Sequence, residues 1–188
     1  MKQQAVVALL ALWLASCSHA PVISDQVPTA GIDAWKMSGR IAIARQNEGF
    51  NGRFVWDEQP SGMQLRVRGP LGFGGIEING HEGAYTVVHS GEHFQTNDPE
   101  TELSALVGWW LPVHSLSAWL RAVPDERFPF QADRDSDGRL VSLMQRGWSA
   151  EYPSYRQRAE YLLPYRILLD NGEVRVRVVV DRFEAKTN

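Results

Sequence analysis

A single cysteine, Cys17, stands among 188 residues, and it is the side chain whose neighbours most clearly specify a chemistry. Lys2 gives a positive start, Ala5 to Ala15 reads AVVALLALWLA, and Leu14-Ala15-Ser16 leads into the cysteine. The apolar run has the size of a signal-peptide core and falls short of the roughly 20 residues that a spanning helix needs. Leu, two small residues and then Cys form the pattern of a bacterial lipobox. Such a cysteine takes a diacylglycerol on its thiol, the chain is cut before it, and the new amine is acylated. The competing reading is a plain secretory signal with a chance cysteine at its end. One acyl chain holds a protein marginally to a bilayer, whereas two or three anchor it stably.

Other reactive patterns lose on context. His89-Ser90-Gly91-Glu92-His93 matches an inverted zincin motif, but that chemistry needs both histidines on one helix face, and Ser-Gly here follows a strand-like stretch. Asp133, Asp135, Asp137 and Gly138 resemble half of a calcium loop whose closing position holds Met144 instead of a bidentate Glu. Both segments read as hairpin turns. No nucleophile elbow or phosphate-binding loop is present. The expectation is therefore a protein that is not an enzyme and needs no metal or cofactor.

The elements that would carry such a chain are mostly strands. Period-two alternation places Ile41 with Ile43, Phe54 with Trp56, Met63 with Leu65 and Val67, and Ile76 with Ile78. Further on come Tyr85 with Val87, Trp148 with Ala150 and Tyr152, Tyr165 with Ile167 and Leu169, and a stripe of Val174, Val176, Val178 and Val180. Asn51-Gly52, Asn79-Gly80, Asp137-Gly138 and Asn171-Gly172 read as turns between antiparallel strands, each strand with one apolar and one polar face. Residues 98 to 123 break the pattern. Asp98 caps a helix that Pro99 starts and Pro112 stops, with Leu103, Leu106, Val107 and Trp110 on one stripe. Ser115 caps a second helix bearing Leu116, Trp119 and Leu120. These helices are expected to lie on the apolar face of the sheet.

Composition removes several classes. There are 22 acidic side chains against 19 Lys plus Arg, a net charge of −3, which disfavours nucleic acid as a partner. Seven Trp, seven Phe and five Tyr exclude a disordered chain. The expected organisation is a signal peptide over 1–16, a lipidated tether over 17–34 containing Pro21, Pro28 and Gly31, and one folded domain over 35–188, acting as a monomer.

Several segments, in order, resemble the LolB family of outer-membrane lipoprotein receptors. They are the lipobox cysteine, Trp35 followed by Ser38-Gly39-Arg40, Phe54-Val55-Trp56, and Gly69-Pro70-Leu71-Gly72. Leu111-Pro112 with Leu116, Trp119 and Leu120 follow, then Gln145-Arg146-Gly147-Trp148, Leu163-Pro164 and the terminal strand. Phe73-Gly74-Gly75 and Phe183 depart from the family pattern. The resemblance implies a mainly β fold with a few short α-helices: an open, incomplete antiparallel β-barrel with helices packed over its concave face. It implies a protein held at the periplasmic face of the outer membrane through Cys17; Ser18, where an Asp would favour inner-membrane retention, agrees with that. Its implied partners are the periplasmic carrier LolA, acylated lipoprotein cargo and outer-membrane lipid. Its implied action is to accept lipoproteins from LolA in a hydrophobic cavity and insert them into the inner leaflet.

Under the resemblance, Trp56, Leu65, Val67 and Trp148 are sheet-side walls of the cavity, and Leu103, Leu106, Val107 and Trp110 its helical side. Without it, the same residues read as ordinary sealed core. Leu71 is implied to protrude and drive delivery to the membrane from a loop that includes Pro70 and Gly72; Phe73, which departs from the family pattern, is expected on its apolar character to reinforce it. The opposing reading folds Leu71 back into the core. A different class also fits the strands: a structural or assembly lipoprotein that binds a partner protein through its sheet.

Overall fold

A computed structural model describes residues 29–70 and 75–186. Cys17, the signal segment, most of the tether, and Leu71, Gly72 and Phe73 lie outside the described residues. Eleven strands form one antiparallel sheet. In chain order they are β1 (Trp35–Arg45), β2 (Glu48–Gln59), β3 (Gly62–Arg68), β4 (Gly75–His81), β5 (Ala84–His89) and β6 (Glu92–Thr96). After helices α1 (Pro99–Val107) and α2 (Val113–Trp119) come β7 (Phe130–Arg134), β8 (Leu140–Gln145), β9 (Trp148–Arg158), β10 (Tyr161–Asp170) and β11 (Val174–Ala185). The sheet order is β6-β5-β4-β3-β2-β1-β11-β10-β9-β8-β7, and it does not close. The first and last strands therefore pair at its centre, and β6 and β7 are its two edges. Passing from one edge to the other, the chain must cross the open side of the half-barrel, and it crosses as α1 and α2.

The alternating stripes form the core. Phe54, Trp56, Met63, Leu65, Ile78, Tyr85, Val87, Trp148, Ala150 and Tyr152 are buried, as are Ile167, Leu169 and the four valines of β11. Tyr165 leaves its expected stripe. The register between β9 and β10 shifts between Pro164 and Arg166, and the Tyr165 ring packs under the Arg156 guanidinium at 3.4 Å. Two of the four expected turns are also misplaced. Asn51-Gly52 and Asn79-Gly80 lie inside β2 and β4, and the chain reverses instead at 46–47 and 82–83. Gly52 serves close approach, not a turn: a Cβ there would stand 2.5 Å from the Arg68 carbonyl oxygen and 2.7 Å from the Phe50 ring. The turns at Asp137-Gly138 and Asn171-Gly172 form where expected.

Helix α1 starts as its sequence dictates. The Asp98 carboxylate accepts hydrogen bonds from the amides of Glu100 (3.1 Å) and Thr101 (3.2 Å), and Pro99 occupies the first turn. The helix ends earlier than the apolar spacing suggests, because Gly108 takes a left-handed conformation (φ 76°) and its amide donates to Ser104 O. Pro112, not Ser115, is the N-cap of α2. Thr29, Ile32 and Arg121 join the start of the described chain to the end of α2, with Thr29 Oγ1 2.8 Å from Arg121 O. The strands, the two α-helices and the buried core of the described residues lie within 29–186, so a chain beginning at residue 18 keeps every described contact.

Candidate functional site

Between the concave face and the helices the packing is incomplete. A hollow of about 310 Å³ is lined from the sheet by Ile41 and Ile43 of β1, Phe50 of β2, Leu65 and Val67 of β3, and Ile76 and Ile78 of β4. Leu103 and Val107 of α1, with Trp109 and Leu111 of the following loop, close it from above. Arg45, Glu48 and His89 are the charged or polar side chains among its lining residues. A second hollow of about 60 Å³ shares Ile41, Ile43, Leu65, Val67, Trp109 and Leu111 with the first and continues toward Trp56, Leu116 and Val178. The two form one greasy recess whose walls offer dispersion contacts and exclusion of water, with no directional partner required.

The sequence-predicted wall residues divide. Leu65, Val67, Leu103 and Val107 line the larger hollow, and Trp56 lines the smaller. Leu106, Trp110 and Trp148 line neither. Leu106 is half-buried against the core, and Trp148 is buried with its ring 6.3 Å from that of Trp109. The early end of α1 explains the exchange of Trp110 for Trp109: once Gly108 breaks the helix, helical spacing no longer decides which tryptophan faces inward. Ile41 and Ile43 were legible as a strand stripe and Phe50 was assigned to none, because a turn was expected beside it; no local signal marks any of the three as facing empty space.

Among the loop residues, Pro70 is described and exposed. Gly75, the first described residue on the other side of the loop, lines the larger hollow.

A buried polar clasp holds the helices over the sheet. The Arg146 guanidinium is bidentate on Glu100 of α1 (3.0 and 2.8 Å) and also donates to Ser115 of α2 (3.1 Å). Its carbon lies 4.8 Å from the Trp110 ring centroid and 4.2 Å from that of Phe128. Glu100 also accepts from the His114 amide (3.2 Å) and faces His114 Nδ1 (3.1 Å), while Nε2 meets the Tyr85 hydroxyl at 3.0 Å. A neutral imidazole protonated on Nδ1 satisfies both contacts. Burial pushes the Glu100 carboxyl up, but hydrogen bonds from His114 and Arg146 and the charge of Arg146 outweigh it and hold the pKa at about 2. Nearby, Gln145 accepts from Trp119 Nε1 (2.7 Å) and from the Asp125 amide (2.9 Å), and Ser115 donates to Asp125 (2.7 Å).

The clasp gives Gln145-Arg146-Gly147-Trp148 a physical role. Arg146 (φ 52°) and Gly147 (φ 76°) form the two-residue hairpin turn between β8 and β9, which delivers the arginine to the helices. Sequence reasoning missed this pairing because 46 residues separate Arg146 from Glu100.

The comparisons with known proteins agree with this architecture. The family described as "Outer membrane lipoprotein LolB" matches residues 33–183. A protein of Pseudomonas fluorescens named outer-membrane lipoprotein LolB is 34% identical over 151 residues, which cover 80% of this chain and 74% of that one. A protein of the same name from Stutzerimonas stutzeri is 31% identical over 158 residues, covering 84% of this chain and 77% of that one. Among solved structures, a LolA superfamily protein from Nitrosomonas europaea superposes with a TM-score of 0.53 at 11% identity, covering 88% of this chain and 91% of that one; it shows a shared fold.

Proposed function

The chain belongs to the LolB family of outer membrane lipoproteins, and from that premise we propose that it receives acylated lipoproteins from the periplasmic carrier LolA and places them in the inner leaflet of the outer membrane. In this reading the protein is itself anchored there through acylated Cys17. The observation that carries the reading is the apolar recess between the sheet and α1. A packed interior would have favoured a purely structural lipoprotein.

The energetics call for such a recess. A triacylated cargo carries three chains of roughly 15 methylenes, and at about 0.8 kcal/mol per buried CH₂ their exposure to water costs on the order of 36 kcal/mol. Handover between apolar hosts avoids that cost and needs no nucleotide if each host binds more tightly than the last, with the bilayer as the final sink. A methylene fills about the volume of one water molecule, about 30 Å³. The larger hollow, about 310 Å³, therefore seats about ten methylenes, so a full load requires α1 and α2 to lift from the sheet.

In this proposal Leu65, Val67, Leu103 and Val107 touch acyl chains, and Leu71, aided by Phe73, enters the bilayer. Pro70 and Gly72 set the direction of that loop. Gly75, the first described residue after that loop, lines the larger hollow, which supports the assignment. The test is a transfer assay with residues 18–188 and LolA loaded with an acylated lipoprotein. The cargo is expected to move to the 18–188 protein, and a cargo that stays on LolA overturns the proposal. With vesicles added, Leu71→Glu is expected to leave acceptance intact and block insertion; unimpaired insertion would refute the role given to Leu71.

A further inference from the structure

A second hollow region lies outside the half-barrel. It is a trough of about 630 Å³ on the convex face, with Arg40, Arg53, Arg66, Arg68 and Arg177 among its lining residues and Pro70 at its border. The register explains the crowding. Arg68 of β3 lies directly opposite Arg53 of β2, and Arg53 directly opposite Arg40 of β1, so three guanidinium groups run in one row across three strands. Arg177 of β11 joins them from opposite Ala42. Like charges placed directly opposite one another destabilise a sheet. Two of the five are answered by carboxylates, Arg40 by Asp181 (3.0 Å) and Arg66 by Glu77 (2.8 Å). Among the described residues Arg53, Arg68 and Arg177 are exposed and have no ion-pair partner. A chain with net charge −3 thus concentrates unanswered positive charge at one place.

We propose that this arginine row is a docking surface for the phosphate groups of anionic phospholipid, engaged when the loop after Pro70 meets the membrane. The proposal deepens the lipoprotein-delivery reading and rests on it. Charge complementarity and position carry it. Arg68 precedes Leu71 by three residues, at most about 10 Å of extended chain, which is about one Debye length at physiological salt. Guanidinium groups also suit phosphate geometry, since they present paired donors. The row would hold against the leaflet the end of β3 from which the loop after Pro70 leaves.

The experiment uses residues 18–188 and two vesicle types, phosphatidylcholine alone and phosphatidylcholine mixed with phosphatidylglycerol. The protein is expected to sediment preferentially with the anionic vesicles, and the preference to fade as salt is raised. The triple variant Arg53→Gln/Arg68→Gln/Arg177→Gln is expected to bind the anionic vesicles about 100-fold more weakly. Its melting temperature should be equal or higher, because a like-charge row has been removed. The matching Lys triple should keep most of the binding. Equal sedimentation with both vesicle types, or an unchanged Gln triple, overturns the proposal and would leave the row to an acidic protein partner. That result is separable from failure of the delivery reading, for which LolA-to-protein transfer without vesicles is the readout.

Discussion

At the scale of single residues, the clasp is where charge and burial are most tightly bound together. Removing the carboxylate with Glu100→Gln strands Arg146 beneath α1 with no counter-charge, and breaking a buried pair from one side costs about 3–5 kcal/mol. For a chain of this size that lowers the melting temperature by roughly 10 °C, at about 2–4 °C per kcal/mol, and thermal denaturation followed by circular dichroism reads it directly. The pH dependence has a definite sign. The Glu100 carboxyl sits near 2 in the folded protein, below its ordinary value. Its contribution is therefore fully present above the unfolded carboxylate range and is lost as pH falls toward 2. Acid unfolding of the wild type should be steeper through that window than that of Glu100→Gln. Neither the clasp nor the arginine row was legible in the sequence, because both depend on pairings between strands or turns that local patterns do not encode.

At the scale of elements, the cap of α1 sets how firmly the helical crossing is held. Asp98→Ala deletes two amide acceptor contacts and a hydroxyl contact from Thr101 and should cost about 1 kcal/mol, measurable as a small drop in melting temperature. If loading lifts α1 and α2, amide hydrogens in 99–119 should exchange faster in the cargo-bound protein than in the empty one, while those of β1, β2 and β11 stay protected. Uniform protection on loading would contradict that motion. Most strands were readable from alternation, since the sheet buries one face along nearly all its length. The exceptions are instructive. Gly52 and Gly80 imitate turn signals but sit within strands where backbone and ring approach closely. Tyr165 follows the apolar period until a bulge turns it away. The stop of α1 was expected at Pro112, but Gly108 acts four residues earlier.

At the scale of the whole molecule, one topological fact underlies the proposed function. An open sheet with its edge strands joined by a helical crossing has a face that is covered but not filled. The sequence makes that face apolar; it does not reveal how much of it stays empty, because vacancy arises from the fit between β1, β2, β4 and the loop at Trp109, which no periodicity records. A bulky substitution into the recess should test whether that vacancy is used. Ile76→Trp is expected to reduce the amount of lipoprotein accepted from LolA while leaving the circular dichroism spectrum unchanged.

The most direct test places a photoreactive side chain at Ile76, which lines the recess, and separately at its neighbour Glu77, which pairs with Arg66 on the opposite face. After transfer of an acylated lipoprotein bearing labelled acyl chains, illumination should join the label to the protein at position 76 and not at 77. Labelling at 77 alone, or equally at both positions, would contradict the claim that acyl chains are housed beneath the helices.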